Sequence, residues 1–276
     1  MIVAAFLFGL LIGSFLNVCI HRWPIDESIL RPARSYCPSC KRQIAWYDNV
    51  PLLSYVLLRG RCRACGASIS WRYPLVELLN GLLYAGLAAT QGLTPEAAKA
   101  ALFCSMILAL IFTDFEHYIL PDELTWGGLA IGLALSLVVA VPPSLSSLFW
   151  LITESTPSPR LGSLAESALG AAVFGGLLWA MREAYYRIRG VDGLGLGDVK
   201  MAAMMGSFWG VGPTLLILLL GSLGGSLIGT AIIVLGGKKW SHELPFGSYL
   251  GAAALIVTLW GDRLFNLYWQ SVGAGA

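Results

Sequence analysis

The sequence predicts an all-α fold, a polytopic membrane helical bundle of about eight transmembrane helices with one small polar insertion. Of the 276 residues, 57% are hydrophobic and only 12% are charged, whereas a soluble domain carries about 25% charged residues. Apolar runs that approach the roughly 20 residues needed to cross a bilayer as a helix recur along the whole chain. One polar, cysteine-bearing stretch near the N-terminus, residues 21–72, interrupts them.

The apolar runs define the candidate spans. The first, residues 1–20, lacks the basic residues that open a secretory signal peptide, so we interpret it as a transmembrane helix and not as a cleaved signal. The sixth is short and glycine-rich and could merge with the seventh across Gly210 to Pro213. The predicted spans are 2–20, 73–91, 96–113, 123–141, 163–186, 198–210, 212–235 and 246–268.

Two polar stretches divide the chain. Residues 21–72 contain helix-breaking Pro24 and Pro32 and form a module too small to bury a large core unaided. Residues 73–276 carry the remaining spans as one helical domain. Within it, residues 142–162 are rich in Ser, Thr and Pro, and they predict a flexible loop with an interfacial anchor at Phe149-Trp150. No fixed-period repeat is apparent.

The positions of the basic residues predict the orientation, because Lys and Arg are retained on the cytoplasmic side. Most of them lie in 21–72, beside the glycine-rich stretch 193–197, and at Lys238-Lys239 before the last span. The N-terminus and the loop 142–162 are therefore expected outside the cytoplasm. The insertion 21–72 is expected inside it.

Two CxxC pairs lie in the insertion, Cys37-Pro-Ser-Cys40 and Cys62-Arg-Ala-Cys65. Their separation is slightly longer than in the C-x₂-C-x₁₅₋₂₀-C-x₂-C pattern of tetrahedral zinc sites. The alternative is a pair of disulfides, which a cytoplasmic location disfavours. We predict a structural zinc ion, whose binding energy would replace the missing core of the module.

Two aspartates stand at helix ends. Asp114 ends the third span, and Asp198 begins the sixth after Gly195 and Gly197, which allow close approach of backbone or substrate. Acids at membrane depth are functional candidates because their ionisation there is costly. If both share one site, one keeps its proton, which provides a base to activate water and an acid to polarise a scissile carbonyl. The alternative is a metal-stabilised membrane transporter whose aspartates relay protons.

The polar neighbours of the two aspartates have plainer interpretations. Asp122 follows Pro121 and is expected in the first turn of a helix, where an acid is favourable. Glu116 and Glu123 are expected to face water. Lys200 supports the site either as an electrostatic partner of the aspartates or simply as a basic anchor.

Taken together, these motifs resemble the type IV prepilin peptidases, a bacterial inner-membrane family of bifunctional leader peptidase/N-methyltransferases. A lone Gly-x-Gly-Asp would be a weak signal, because presenilin-like and signal-peptide peptidases also carry it. The matching stretches span nearly the whole chain in the family order: Gly13 to Pro24, both CxxC pairs, Arg72 to Glu77, Asp114 to Asp122, Gly195 to Lys200 and Leu244 to Leu250.

The resemblance implies a mechanism and a location. The catalytic aspartates of the family fall on Asp114 and Asp198, and its metal-binding cysteines fall on the two CxxC pairs. Its substrates are the prepilins of type IV pili and the pseudopilins of type II secretion, cut after a glycine at the cytoplasmic face of the inner membrane. The N-terminus and the loop 142–162 would then be periplasmic. Two departures are visible: the last motif reads Pro-Phe-Gly-Ser248, where Pro-Phe-Gly-Pro is common, and the 142–162 loop is long. We expect neither to touch the two aspartates.

The second activity that the resemblance implies is methylation of the new N-terminal residue from S-adenosylmethionine. The sequence has no glycine-rich Rossmann signature, so we expect the donor to bind polar groups of the insertion and its membrane junction. Asn17, Gly60 and Glu77 are the candidates. Glu77 has an alternative role as a hydrogen-bonded structural acid, and a peptidase without methyltransferase activity is a further alternative. We expect the partners to be the substrates and the lipid bilayer, and no nucleic acid.

Overall fold

The computed structural model of the chain describes residues 1–32, 34–152, 158–236 and 245–271. Every regular element in these ranges is helical, which confirms the all-α prediction. The helices are α1 Ile2–Arg22, α2 Leu53–Leu57, α3 Arg72–Gln91, α4 Pro95–His117, α5 Asp122–Ser136, α6 Leu145–Ile152, α7 Pro159–Arg189, α8 Leu196–Trp209, α9 Val211–Gly236 and α10 Phe246–Ser271.

The long helices coincide with the predicted spans to within a few residues at most ends. A left-handed glycine, Gly210 at φ 72°, separates α8 from α9 and resolves the possible merger of these two spans. Four segments are long and apolar enough to cross a membrane, and Phe246–Gly261 is a shorter apolar helix. The chain is thus an integral membrane protein, and a total of about eight spans stays a prediction. The four segments are Ile2–Ile25, Pro95–His117, Pro159–Arg189 and Val211–Ile232.

One helix, α6, lies in the connection 142–162, which the sequence predicts to be flexible. Its N-terminus is capped from α7, because a carboxylate oxygen of Glu166 accepts the backbone N–H groups of Ser144 and Ser146 at 3.1 and 2.9 Å. The other oxygen accepts the N–H of Val211, the first residue of α9, at 3.1 Å. Glu166 therefore satisfies the exposed donors of two helix starts at once. The predicted Phe149-Trp150 anchor falls on α6, but its side chains lie outside the described part of the structure.

The chain folds as two compact units, Met1–Phe112 and Thr113–Ala276. In the first, α1 packs against α3 with little space between the backbones: a Cβ atom on Gly13 would lie 2.7 Å from the Cα of Glu77. Asn80 of α3 donates to the carbonyl of Gly9 at 2.7 Å and accepts the hydroxyl of Ser105 at 2.9 Å. Small residues and interhelical hydrogen bonds of this kind hold helices together in a bilayer.

In the second unit, the short helix α8 is central. Its apolar side chains Met201, Met204, Met205 and Phe208 are completely buried. α7 crosses it in backbone contact, because a Cβ atom on Gly170 would lie 2.5 Å from the carbonyl oxygen of Gly206. This packing fixes the position of α8, and with it the position of Asp198 in its first turn.

Candidate functional site

Asp114 lies near the C-terminal end of α4 and is only 6% exposed. Its Oδ2 atom accepts two hydrogen bonds from Ser248, one from the backbone N–H at 2.6 Å and one from the hydroxyl at 2.9 Å. Ser248 belongs to the first turn of α10. The unpaired N–H groups and the positive dipole end of a helix start favour a negative charge. The start of α10 therefore provides a polar environment for the carboxyl group of Asp114.

Asp198 lies in the first turn of α8 and is 9% exposed. The backbone N–H of Gly195 donates to it, and its carboxyl group interacts electrostatically with that of Asp114. A Cβ atom on Gly195 would lie 3.1 Å from Asp198 Oδ2, so a glycine leaves room for this approach. Asp114 and Asp198 thus lie in the same compact unit, where their carboxyl groups interact electrostatically. In the sequence, 84 positions separate them.

Leu120 fills the space between the helix starts that carry the site. A Cβ atom on Gly197 would lie 2.9 Å from Leu120 Cβ, and one on Gly247 would lie 3.0 Å from Leu120 Cδ1 and 3.1 Å from Asp114 Oδ2. Gly195 has an ordinary φ of −68°, so its backbone conformation does not by itself require a glycine. Gly197 and Gly247 let the starts of α8 and α10 close around one leucine.

Lys200 forms an ion pair with Asp122, at 2.5 Å between Nζ and Oδ1. The described contact of Lys200 is therefore with Asp122 and not with Asp114 or Asp198, and its role as a basic anchor stays a prediction. Asp122 is the first residue of α5, as predicted. The pair therefore joins the start of α5 to the first turns of α8. Glu116 and Glu123 are exposed, as predicted.

The four cysteines of the insertion form a compact cluster of free thiols, in which all Sγ atoms lie within 4.8 Å of one another. The Sγ atoms of Cys37 and Cys65 are 3.9 Å apart. Tetrahedral zinc with Zn–S bonds of about 2.3 Å requires S–S separations of about 3.8 Å. Hydrogen bonds from the backbone of Cys40 and Ser39 lower the pKa of the Cys37 thiol to about 6, which favours the thiolate that binds a metal. The cluster therefore fits a structural zinc ion.

The two CxxC segments have the same backbone structure, displaced by the 25 positions that separate Cys37 from Cys62. In each, the residue after the second cysteine, Lys41 or Gly66, is left-handed and donates its N–H to the carbonyl of the first cysteine at 2.8 or 2.9 Å. A short antiparallel bridge flanks each segment. This repeat is not apparent in the amino-acid sequence because the two copies share little beyond their cysteines.

Gly60, one of the three methyltransferase candidates, belongs to the second of these segments. Its carbonyl accepts the N–H of Ile69 at 2.7 Å, as the carbonyl of Ser35 accepts that of Ile44 in the first segment. Its φ is 65°, and a Cβ atom there would lie 3.1 Å from the ring of Tyr55. The fold of the insertion therefore accounts for a glycine at this position.

The other two candidates lie where α1 meets α3. Asn17 is 2% exposed; its Nδ2 donates to the carbonyl of Tyr73 at 3.0 Å, and its Oδ1 has no hydrogen-bond partner within the described ranges. Glu77 is buried and accepts the backbone N–H of Leu52 at 2.9 Å. Leu52 is left-handed, with φ 60°. Glu77 thus holds a turn of the insertion on α3, in agreement with its alternative role as a structural acid.

We expect Glu77→Ala to destabilise the protein by about 1–3 kcal/mol, because the N–H of Leu52 loses its acceptor in a partly buried position. Glu77→Gln keeps an acceptor oxygen and should cost less. Thermal unfolding in detergent measures both changes, with Glu183→Ala, which removes an exposed ion pair with Arg187 on α7, as the control. An unfolding temperature of Glu77→Ala equal to that of the unsubstituted protein would contradict the structural role.

Sequence reasoning missed two residues that build the site, Ser248 and Leu120. The expectation that the departure at Ser248 does not touch the aspartates is wrong, because Ser248 donates two hydrogen bonds to Asp114. The signal for Ser248 was present, since a serine two residues after the start of a helix exposes both an N–H and a hydroxyl. The signal for Leu120 was only its place between Asp114 and Asp122. Neither residue is titratable, and a search for acids, bases and metal ligands passes over both.

The fold and the site define an integral membrane protein with two buried, interacting aspartates and a cluster of four cysteines that could hold a metal ion. A profile described as the type IV leader peptidase family matches residues 101–230, and one described as the bacterial peptidase A24 N-terminal domain matches residues 7–91. The chain belongs to the type IV leader peptidase family and is an enzyme.

Named relatives match over almost the full chain. The prepilin leader peptidase/N-methyltransferase of Aeromonas hydrophila is 37% identical, over 95% of this chain and 92% of the relative. The protein of the same name from Aeromonas salmonicida is 38% identical, over 97% and 93%. That from Pseudomonas aeruginosa is 34% identical, over 99% and 94%. No solved structure gave a significant match.

Proposed function

We propose that this enzyme is an aspartic endopeptidase that removes the leader peptide of type IV prepilins or pseudopilins, with Asp114 and Asp198 as its catalytic residues. The observation that supports this most directly is the electrostatic interaction of two buried carboxyl groups, that of Asp198 in the first turn of α8 and that of Asp114 at the end of α4, which is hydrogen-bonded by the start of α10. The names of the relatives supply the substrate class. The bilayer would hold the apolar helix of the substrate beside the site.

The chemistry follows from the sharing of one proton. Two carboxyl groups that interact electrostatically do not ionise together easily, so one would be a carboxylate and the other a neutral acid. The carboxylate takes a proton from water as the water oxygen bonds to the carbonyl carbon of the scissile peptide. The neutral acid donates its hydrogen bond to the carbonyl oxygen. The intermediate then collapses, the C–N bond breaks, and a proton passes to the leaving amine.

Incubation of the purified enzyme in detergent with a synthetic prepilin, followed by mass spectrometry, tests this proposal. We expect one cut that separates the leader from the mature chain. The rival function, a membrane transporter with an aspartate proton relay, predicts an intact prepilin together with proton-coupled uptake in liposomes. That combination would contradict the peptidase.

We also propose that the enzyme methylates the newly exposed amino group, with S-adenosylmethionine as the methyl donor, as the names of the relatives indicate. The donor supplies an electrophilic methyl group. Asn17 and Glu77 fit its polar groups best among the candidates, because Asn17 Oδ1 is a buried acceptor without a partner in the described part of the chain. Together they would accept hydrogen bonds from the donor's ammonium and hydroxyl groups. Gly60 would act only through the fold of the insertion.

Substitution of Asn17 by Ala tests the methyl-donor site, since it removes this acceptor. We expect a roughly tenfold or greater loss of affinity for S-adenosylmethionine, measured by calorimetry, from the loss of one buried hydrogen bond. Transfer of labelled methyl to cleaved pilin should fall with it, while leader cleavage continues. Unchanged donor affinity would remove Asn17 from the site, and absence of label with the unsubstituted enzyme would leave a peptidase without methyltransferase activity.

The orientation proposed from the basic residues places the N-terminus and the 142–162 connection in the periplasm, and the cysteine insertion and the aspartates at the cytoplasmic face of the inner membrane. Arg182, Arg187 and Arg189 near the end of α7 support it. Lys238 and Lys239 lie outside the described residues. The division of the chain into a first helix (1–20), a zinc-binding module (21–72) and a peptidase domain (73–276) stays a prediction.

A further inference from the structure

We infer that Ser248 is a positioning residue that holds Asp114 in the ionised state, so that the single proton shared by the two aspartates resides on Asp198. The inference rests on the proposed peptidase function. It assigns the two roles that the proposed mechanism leaves open. Asp114 becomes the base that takes the proton from water, and Asp198 becomes the acid that hydrogen-bonds to the carbonyl oxygen.

The geometry at Asp114 favours negative charge. Both donors of Ser248 converge on one oxygen, Oδ2, from the first turn of a long helix. The N–H group is shared, since it also approaches the carbonyl of Pro245 at 3.1 Å, but its shorter contact is with the carboxylate. Hydrogen bonds from an N–H and an O–H to a carboxylate are charge-assisted, and they weaken when the carboxyl group is protonated.

Within the described residues, Asp198 accepts fewer hydrogen bonds than Asp114 does. It also lies in the first turn of a helix, its own α8, but its hydrogen bond comes from one backbone group, the N–H of Gly195. The hydroxyl of Ser248 is therefore the difference between the two environments. Because the first of two interacting acids to ionise disfavours ionisation of the second, a modest preference for charge on Asp114 is enough to leave the proton on Asp198.

Among the residues that the structure describes, the other ionisable groups on the adjoining segments are paired or exposed. Glu116 and His117 follow Asp114 on α4, and Glu116 Oε2 lies 3.8 Å from His117 Nε2. Asp122, which opens α5, pairs with Lys200 of α8. The first turn of α10 contains no acidic residue. These contacts give no reason to expect that a neighbouring charge reverses the preference set by Ser248.

Three substitutions at position 248 distinguish the contribution of the hydroxyl from that of the backbone N–H. S248A removes the hydroxyl and keeps the N–H, S248P removes both, and S248T keeps both. Proline is tolerated in the first turn of a helix because no N–H is needed there for the helix itself. T258A is the matched control, since the hydroxyl of Thr258, on the same helix, donates only to the carbonyl of Ala254 at 2.8 Å.

The pH profile of kcat/KM for leader cleavage is the first measurement. Loss of the donors makes the carboxylate of Asp114 less favourable, so activity should disappear at a higher pH on the acid side. We expect the acid limb to move up by about half a pH unit in S248A and roughly one unit in S248P, with the alkaline limb unchanged. S248T keeps both donors, so its acid limb should stay in place whatever its rate, and T258A should match the unsubstituted enzyme. Unmoved acid limbs in S248A and S248P, or an equal movement in T258A, would overturn the inference.

A second measurement does not depend on activity. Ser248 contributes to stability only while Asp114 is ionised, so its contribution is present at neutral pH and is lost as the pH falls. The unfolding temperature of S248A in detergent should therefore lie about 2–4 °C below that of the parent at neutral pH, and the gap should close in acid. In the D114N background the gap should not vary with pH. A pH-independent gap in the parent would refute the inference, whereas failure of the parent to cut prepilin would refute the proposed function alone.

Discussion

Asp114→Asn and Asp198→Asn are each expected to lower the rate of leader cleavage by on the order of 10⁴-fold, since removal of one member of a catalytic unit disables the whole unit. An amide can neither take a proton from water nor give one to a carbonyl oxygen. Both substitutions preserve the size of the side chain, and an amide oxygen can still accept the hydrogen bonds of Ser248 or Gly195. The protein should therefore fold and insert. Mass spectrometry of the pilin product after timed incubation measures the loss.

The control for this experiment is Asp192→Asn. Asp192 is an exposed acid that pairs with Arg182 at 2.6 Å, and it lies between α7 and α8, close in sequence to Asp198. We expect it to cut at the parent rate. If either Asp114→Asn or Asp198→Asn retained more than a few per cent of parent activity, the shared-site mechanism would be wrong.

Cys62→Ser is expected to abolish metal binding and unfold the insertion, the second large effect. Structural zinc contributes about 10–16 kcal/mol of apparent binding energy in small metal-dependent modules, and few other contacts could replace it in so short a segment. Residues 34–71 should become sensitive to protease while α3 to α10 stay protected in detergent. The metal content of the purified protein and limited proteolysis followed by mass spectrometry provide the measurements.

Ser39→Ala is the matched control for the metal centre. Ser39 is exposed and lies between Cys37 and Cys40 without offering a thiolate, so the variant should keep one zinc ion per chain. Chelation of the parent should reproduce the protease sensitivity of Cys62→Ser. A parent protein that contains no zinc, or that resists protease equally after chelation, would contradict the structural role of the metal.

The transmembrane helices were the most predictable part of the fold, because burial in lipid demands continuous apolar runs that are visible locally in the sequence. The helix α6 was not predictable in the same way. Its start is stabilised by Glu166 from α7, a partner about 20 residues away that local composition does not reveal. The repeat within the insertion was hidden for a related reason, since it consists of backbone hydrogen bonds and left-handed residues such as Lys41.

The two acids of the candidate site were predictable from the sequence, whereas the residues that surround them were not. Asp114 and Asp198 were recognisable because acids at membrane depth are rare and costly. Their support comes from Ser248 and Leu120, which are ordinary residues whose contribution depends on where three helix ends meet. Gly197 was expected to allow a close approach of backbone or substrate, and the partner that approaches it, Leu120, is visible only in the tertiary structure.

The central claim is that Asp114 and Asp198 act together on one water molecule, and the most direct test compares the two single Asn variants with the double variant. Prepilin cleavage is followed by mass spectrometry in incubations long enough to measure residual rates. If the carboxyl groups form one catalytic unit, the double variant will cut no more slowly than either single variant. Losses that multiply in the double variant would mean that the two acids work independently, and would contradict the account.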